Sequence, residues 1–201
     1  MSVIDVPVVL ATHNAHKVDE LRRILGPHLD GLELRAYDGP EPIEDGDTFA
    51  ANALIKARAA AAHTGLASIA DDSGISVEAL DGAPGIFSAR YAGTRDSADN
   101  VALVLEKLSG IPEGQRAAEF TCAAAAVLPD GREHVVTAVW PGSVLEAPTG
   151  GGGFGYDPIF RPEGLDVSAA QLTAVEKDAI SHRTQAFTAL IPWLRATLLQ
   201  D

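Results

Sequence analysis

Residues 69–77 read Ile-Ala-Asp-Asp-Ser-Gly-Ile-Ser-Val, an apolar run interrupted by two adjacent aspartates. Burying an unpaired carboxylate costs several kcal/mol. Any fold for this chain must therefore solvate Asp71 and Asp72 or give each a counter-charge. Asp, Ser and Gly are all common in turns, so a solvated turn at a strand end is the simpler reading. The alternative is a site for a hard cation, because two acids at a strand end can offer oxygen ligands to magnesium. Successive strand residues point to opposite faces, so both would reach one ion only if the chain turns, which Gly74 permits. Before a metal binds, mutual repulsion predicts a raised pKa for at least one of the two.

The remaining pattern is α/β. Val6 to Ala11 is a short Val/Leu-rich run, followed by Thr-His-Asn and then by AHKVDELRRILG, in which Val18, Leu21 and Leu25 share a helical face. Asn14 suits the N-cap, and Gly26-Pro27 marks the stop. Strand, polar turn and helix in that order put the turn at the strand's carboxyl end, where open α/β sheets bind ligands. An acidic Pro/Gly-rich loop covers residues 38–48. An alanine-rich helix from Thr48 to His63, ended by Gly65, comes next, then a strand at Ala67–Ala70. A further helix is predicted over Asn100–Leu108. Strands are predicted at Ala118–Val127 and Glu133–Trp140, joined by an Asp-Gly hairpin turn. The C-terminal helical stretch from Leu172 is predicted to break near Ser181 and bend near Pro192. Helices alternating with strands early and a hairpin late predict a mixed sheet. No repeat or linker divides residues 1–201, which read as one domain.

Lys plus Arg total 15 against 28 for Asp plus Glu, a formal net charge of −13. A chain so acidic repels polyanions, which argues against nucleic acid as a partner. The lone Cys122, in an alanine-rich strand, reads as a small core residue and favours a reducing, cytoplasmic setting. The N-terminal segment lacks a basic start and reads as a strand rather than a signal peptide, and no stretch is long and apolar enough to span a membrane.

Beyond the two aspartates, three clusters could carry chemistry. Thr12, Asn14 and Lys17 could be a plain cap with a solvated lysine. Helix-start N–H groups with a first-turn lysine also make an anion cradle, and acids are what a bare cap normally prefers there. The TGGGGFGYDP run fits G-x-G-x-x-G at Gly150, Gly152 and Gly155, but the segment after it reads as extended, so a dinucleotide fingerprint is rejected. What remains is a loop presenting Phe154 and Tyr156, which could stack on a base or cover a core edge. In LTAVEKDAISHR, Thr173 and Glu176 form a capping box, with Lys177 in the first turn and Ser181-His182-Arg183 at the break. Asn52 and Lys56 share a helical face, which an ordinary solvated surface would also explain. Acids for a metal, lysines and helix starts for phosphates, and an aromatic for a base together match a nucleoside triphosphate with magnesium.

Here the chain resembles the inosine/xanthosine triphosphate pyrophosphatase family. LATHNAHKVDEL matches its opening [ST]-x-N-x-x-K segment. EDGDTFAANALIKA, ADDSG, GAPGIFSARYAG, WPG, GGFGYDPIF and EKDAISHR match its other blocks, in order, across nearly the whole chain. The resemblance implies an elongated central mixed sheet flanked by helices, two lobes with a cleft between them, a homodimer, magnesium, and cleavage of triphosphates to monophosphate and pyrophosphate. It assigns Thr12, His13, Asn14, Ala15, His16 and Lys17 to the triphosphate. Asp72 becomes proton acceptor and metal ligand, with Glu44 a second ligand and Asp71 beside them. It assigns Ser73, Phe154, Gly155, Tyr156, Asp157, Lys177, His182 and Arg183 to the nucleotide, with the base stacked on Phe154. Arg183, which can only donate, suits a 6-oxo purine. Ahead of Pro148, where the family often has an acid, stands Ala147. Three rivals remain: a related enzyme for modified pyrimidine nucleotides, against which SHR and GGFGYDP argue; an aspartyl-phosphate phosphatase, which would want Asp-x-Asp at the first strand; and a non-catalytic sensor.

Overall fold

In chain order, the computed structural model, which describes residues 5–199, runs β1 (Val6–Leu10), α1 (Ala15–Leu25), β2 (Leu32–Ala36), α2 (Phe49–Thr64), β3 (Ala67–Val77), α3 (Ser97–Lys107), β4 (Ala117–Val127), β5 (Glu133–Val144), β6 (Phe160–Pro162), α4 (Ala174–Ile180) and α5 (His182–Leu198). Residues 1–4, part of the segment read against a signal peptide, lie outside the described residues. The strands form one sheet in the order β2-β1-β3-β4-β5-β6. β1 pairs in parallel with β2 and β3, whereas β5 and β6 are antiparallel, so the sheet is mixed as the element pattern predicts.

Local chemistry sets the helix limits. Asn14 Oδ1 accepts the Lys17 N–H at the start of α1, and Thr48 Oγ1 accepts the Ala51 N–H at the start of α2. Gly65 ends α2 at a φ of 68°, a conformation that favours glycine. At Ser181 the backbone turns extended, and α5 starts at the next residue, so the predicted break falls where expected. Three features differ from the sequence reading. The segment after the glycine run, read as extended, makes a 3-10 turn at Asp157–Ile159 before entering β6. β2, an edge strand of five residues, was not anticipated. β3 does not end at Ala70 but continues through Asp-Asp-Ser-Gly to Val77, so the expected turn is absent.

The chain forms two compact units. In the first (described residues 5–72, 122–138 and 183–199), the pleat sorts residues cleanly. Val8, Leu10, Ile69, Cys122 and Ala124 pack with Leu21 and Leu25 of α1 and Phe187 and Leu190 of α5. The alternate residues Val9, Ala70, Ala123 and Ala125 face Ala53, Ala57, Ala60 and Ala61 of α2. Small side chains on both partners let α2 lie close to the sheet. In the second unit (residues 73–121 and 139–182), Ile75 and Val77 of β3 pack with Val101, Val104 and Leu108 of the α3 region, Phe120, Trp140 and Phe160.

Gly74 keeps β3 tight against the turn at residues 85–88. The Ile75 N–H donates to Ser88 Oγ at 2.9 Å. A Cβ at position 74 would run into Ser88 Oγ and come within 2.6 Å of the Gly85 carbonyl. Gly74→Ala is therefore expected to destabilise the protein by about 1–3 kcal/mol, the usual cost of overpacking. Urea denaturation checks this, and an unchanged midpoint would contradict the close approach.

Candidate active site

Because β3 continues as a strand, Asp71 and Asp72 face opposite sides of it. Asp71 follows Ile69 onto the side covered by α1 and α5. It is 1% exposed, and its Oδ2 accepts Lys17 Nζ at 2.9 Å and Arg183 Nη2 at 3.3 Å. Arg183, equally buried, also forms a close ion pair with Glu20 of α1. Burial works to raise the Asp71 pKa, but Lys17, Arg183 and Lys56 outweigh it and hold the carboxyl well below the usual range. For Asp71 the direction is thus opposite to the rise that repulsion between the aspartates would give, because the cations around it prevail. Burial, reinforced by Asp71, pushes up the thiol of Cys122, which is a core residue as expected.

Asp72 faces α2. Lys56 Nζ lies 3.1 Å from its Oδ1, and Asn52 Nδ2 donates to its Oδ2 at 3.3 Å. The same ammonium is 3.5 Å from Oε2 of Glu44 in the acidic loop. Burial opposes charge on Lys56, yet Asp72, Asp71 and Glu44 raise its pKa. Among the described residues no group of three or more His, Cys, Asp or Glu side chains is placed to hold a metal. Magnesium does not require one: it takes one or two carboxylates and completes its shell with water and phosphate oxygens. Glu44 and Asp72 already converge on one cationic centre, the Lys56 ammonium, so this pair fits such an ion.

The turn after β1 forms the cap that both readings of Thr12, Asn14 and Lys17 share. The Asn14 N–H donates to Thr12 Oγ1 at 3.2 Å, which curls the chain into the cap. His13, Asn14, Ala15 and His16 are exposed, and Lys17 reaches inward from them to Asp71. The His13 ring lies 5.5 Å from that of the buried Tyr37.

In the second unit a carboxylate again organises a lysine. Asp157 is 2% exposed; its Oδ2 accepts the Phe154 N–H at 2.8 Å and Lys177 Nζ at 2.5 Å. That ammonium sits 4.9 Å from the centre of the Phe154 ring. The Thr173–Glu176 capping box forms as predicted and starts the helix that carries Lys177. Gly153 (φ 67°) leaves room for the Asp157 carboxylate, which a Cβ would strike, and Gly155 (φ 60°) re-aims the chain. Ser73 is half-buried on β3.

Three side chains assigned to the nucleotide are placed differently. The Tyr156 phenol is in the core, donating to the Ser88 carbonyl, rather than being presented to a ligand. His182 is 3% exposed and stacks on Phe120 with ring centres 4.9 Å apart. Arg183, expected at a base edge, has its guanidinium on Asp71 and Glu20. Glu20, Asn52 and Lys56 were not predicted as site residues. Only the i, i+4 spacing of Asn52 and Lys56 hinted at their joint role, and nothing local marks Glu20, whose partner is 163 residues away.

Residues 8–193 match the Ham1 family model. The chain is 55% identical over 192 residues to the dITP/XTP pyrophosphatase of Leifsonia xyli subsp. xyli, covering 95% of this chain and 96% of that one. The crystal structure of the nucleoside-triphosphatase, or dITP/XTP pyrophosphatase, of Mycobacterium abscessus superposes with a TM-score of 0.75 at 48% identity, covering 94% of this chain and all of that one. The Staphylococcus aureus Ham1 protein superposes with a TM-score of 0.83 at 35% identity, over 95% and 99% of the two chains.

The Asp71 cluster makes a prediction about acid stability. Asp71→Asn leaves Lys17 and Arg183 without their shared carboxylate, and breaking a buried pair costs about 3–5 kcal/mol. The folded pKa of Asp71 is depressed, so its contribution is full above the unfolded value of about 4 and lost as pH falls below it. The stability gap between wild type and variant should therefore shrink below pH 4 by about 1.4 kcal/mol per unit. Urea titrations at pH 5 and pH 3 check this; an equal gap at both would show that Asp71 is not ionised by its neighbours.

Proposed function

The chain belongs to the Ham1 family, and on that premise we propose that it is a nucleoside triphosphate pyrophosphatase. Its substrates in this reading are the deaminated purine nucleotides ITP, dITP and XTP, hydrolysed with magnesium to monophosphate and pyrophosphate so that the nucleotide pool is cleansed. The observation that carries the reading is the convergence of Glu44 and Asp72 on one cationic centre, with a second lysine–aspartate pair on the other side of the same strand. A cytoplasmic homodimer belongs to the same reading. It rests on the resemblance, with the added fact that no described helix is long and apolar enough to cross a membrane.

The roles follow from the chemistry of each group. Thr12 to Lys17 receive the triphosphate, with helix-start N–H groups and the Lys17 ammonium on phosphate oxygens. Asp72 accepts the proton of the attacking water as the oxygen bonds to the α-phosphorus and the α–β bridging bond breaks. Lys17 and Lys56 offset charge growing on the departing pyrophosphate. Magnesium, held by Glu44 and Asp72, would add charge neutralisation on the phosphates when bound. Phe154 stacks on the base, and Lys177 held by Asp157 stiffens that platform. Ser73 and the backbone of Gly155 and Tyr156 complete the nucleotide contacts, whereas the buried His182 and Arg183 support the site from behind, through Phe120 and through Asp71 and Glu20. Stacking accepts any purine, so discrimination has to come from polar contacts to the base edge.

Incubating ITP, dITP, XTP, ATP and GTP with the protein and magnesium in ¹⁸O-water should give efficient turnover of the first three only. The label should appear in the monophosphate, because water attacks the α-phosphorus. Release of orthophosphate, or comparable kcat/KM for ATP and ITP, would overturn the reading. Asp72→Asn should lower kcat by at least ~10²–10⁴-fold with circular dichroism unchanged. Lys17→Ala should both raise KM and lower kcat.

A further inference from the structure

Asp72 and Glu44 belong to separate segments, and something must fix the gap between them. Glu44 lies in the acidic loop that precedes α2, a loop without regular secondary structure. That loop is fastened at Gly46, whose N–H donates to Asn52 Oδ1 at 2.9 Å. The fit is close: a Cβ at position 46 would come within 2.7 Å of Asn52 Oδ1 and 2.8 Å of the Ala51 Cβ. The other end of the same amide donates to Asp72 Oδ2 at 3.3 Å. Asn52 is 1% exposed on α2. Its orientation is unambiguous, because a backbone N–H can only donate and an ionised carboxylate can only accept. The amide oxygen must face Gly46 and the amide nitrogen must face Asp72. Lys56, one turn later on α2, binds the other Asp72 oxygen and Glu44.

We propose that Asn52 is a positioning residue for the metal site: its one amide ties the Glu44 loop and the Asp72 carboxylate to α2, and so sets the gap between the two ligands. The inference rests on the metal-ligand roles given above to Glu44 and Asp72. Asn52 carries no charge, moves no proton and contributes no metal-ligand bond; it acts through its two neighbours. A side chain shared by two ligand-bearing segments makes their separation independent of loop motion, which a lysine bridge alone does not, since an ammonium on a four-carbon stem tolerates many geometries. Losing partners that orient metal ligands typically weakens metal affinity about 10–100-fold.

The test is direct Mn²⁺ binding to the full-length protein without nucleotide, followed by electron paramagnetic resonance, for wild type, Asn52→Ala and Gly46→Ala. Gly46→Ala reaches the same joint from the loop side and leaves every acid and lysine in place. It also carries the test if Asn52→Ala does not fold. Both variants are expected to bind Mn²⁺ about 10–100-fold more weakly than wild type. In turnover, both should need correspondingly more magnesium for half-maximal activity, with KM for the nucleotide unchanged at saturating magnesium. A variant with a lowered thermal midpoint but wild-type Mn²⁺ affinity would show that Asn52 only supports the fold and would overturn the proposal. So would a wild type that binds no Mn²⁺. Weakened metal binding in the variants of a protein that hydrolyses no triphosphate would support the positioning role while refuting the proposed activity.

Discussion

Two carboxylates on consecutive residues of a buried strand demand neutralisation from both sides of the sheet at once. The pleat sends Asp71 and Asp72 in opposite directions, so no single cation makes direct contact with both. At several kcal/mol for each uncompensated charge, α1 and α5 have to bring Lys17 and Arg183 to one side, and α2 has to bring Lys56 to the other. Helix placement in this unit therefore follows from electrostatics as much as from the apolar stripes that pack around it. The alanines of α2 serve the same end, since a helix of bulkier residues would stand further from the sheet and lift Lys56 and Asn52 away from Asp72.

The two environments divide the labour between the acids. Asp71 takes two cations at 2.9 and 3.3 Å and is closed to water, so it remains ionised and anchors the cluster. Asp72 has one lysine, one neutral amide and more exposure, and its lysine is shared with Glu44. A carboxylate held that loosely can exchange a lysine for a metal or take a proton from water; one held like Asp71 cannot. The proposed roles, with Asp72 acting and Asp71 supporting, follow from that difference in how tightly each is held. Asp157 repeats the supporting role in the second unit, where one buried carboxylate clips the Phe154 backbone and holds an ammonium against its ring.

Much of this was legible in the sequence, and what was missed has one cause. Caps, the alanine helix, the hairpin and the break at Ser181 are decided within a few residues, and they were read correctly. The extent of β3 was not. Asp-Asp-Ser-Gly has turn chemistry locally, and only partners 54 and 112 residues away in sequence keep Asp71 in a strand. The same distance hid Glu20 and the cations that turn the pKa of Asp71 downward. Residue types in the GGFGYDP and SHR blocks announced chemistry, but not that Tyr156 and His182 would point into the core and that Arg183 would turn to its carboxylates.

A chain of net charge −13 that handles a polyanion has to work at short range. At physiological ionic strength charges are screened beyond about 8 Å, so the overall repulsion fades where the local cluster begins. Within that cluster Lys17 and Lys56 are each already matched to a carboxylate. An incoming phosphate therefore meets no excess of bare positive charge; it must share ammonium groups that have three donors apiece and are fixed in place by their acids. The acids lower the attraction for the substrate's ground state but hold the donors still, so that little reorganisation is needed as charge builds on the leaving group. Preorganised donors aimed at developing charge are worth more to a rate than to an affinity. The surplus of carboxylates in this chain, which argues against nucleic acid as a partner, is in this way compatible with acting on a small polyanion.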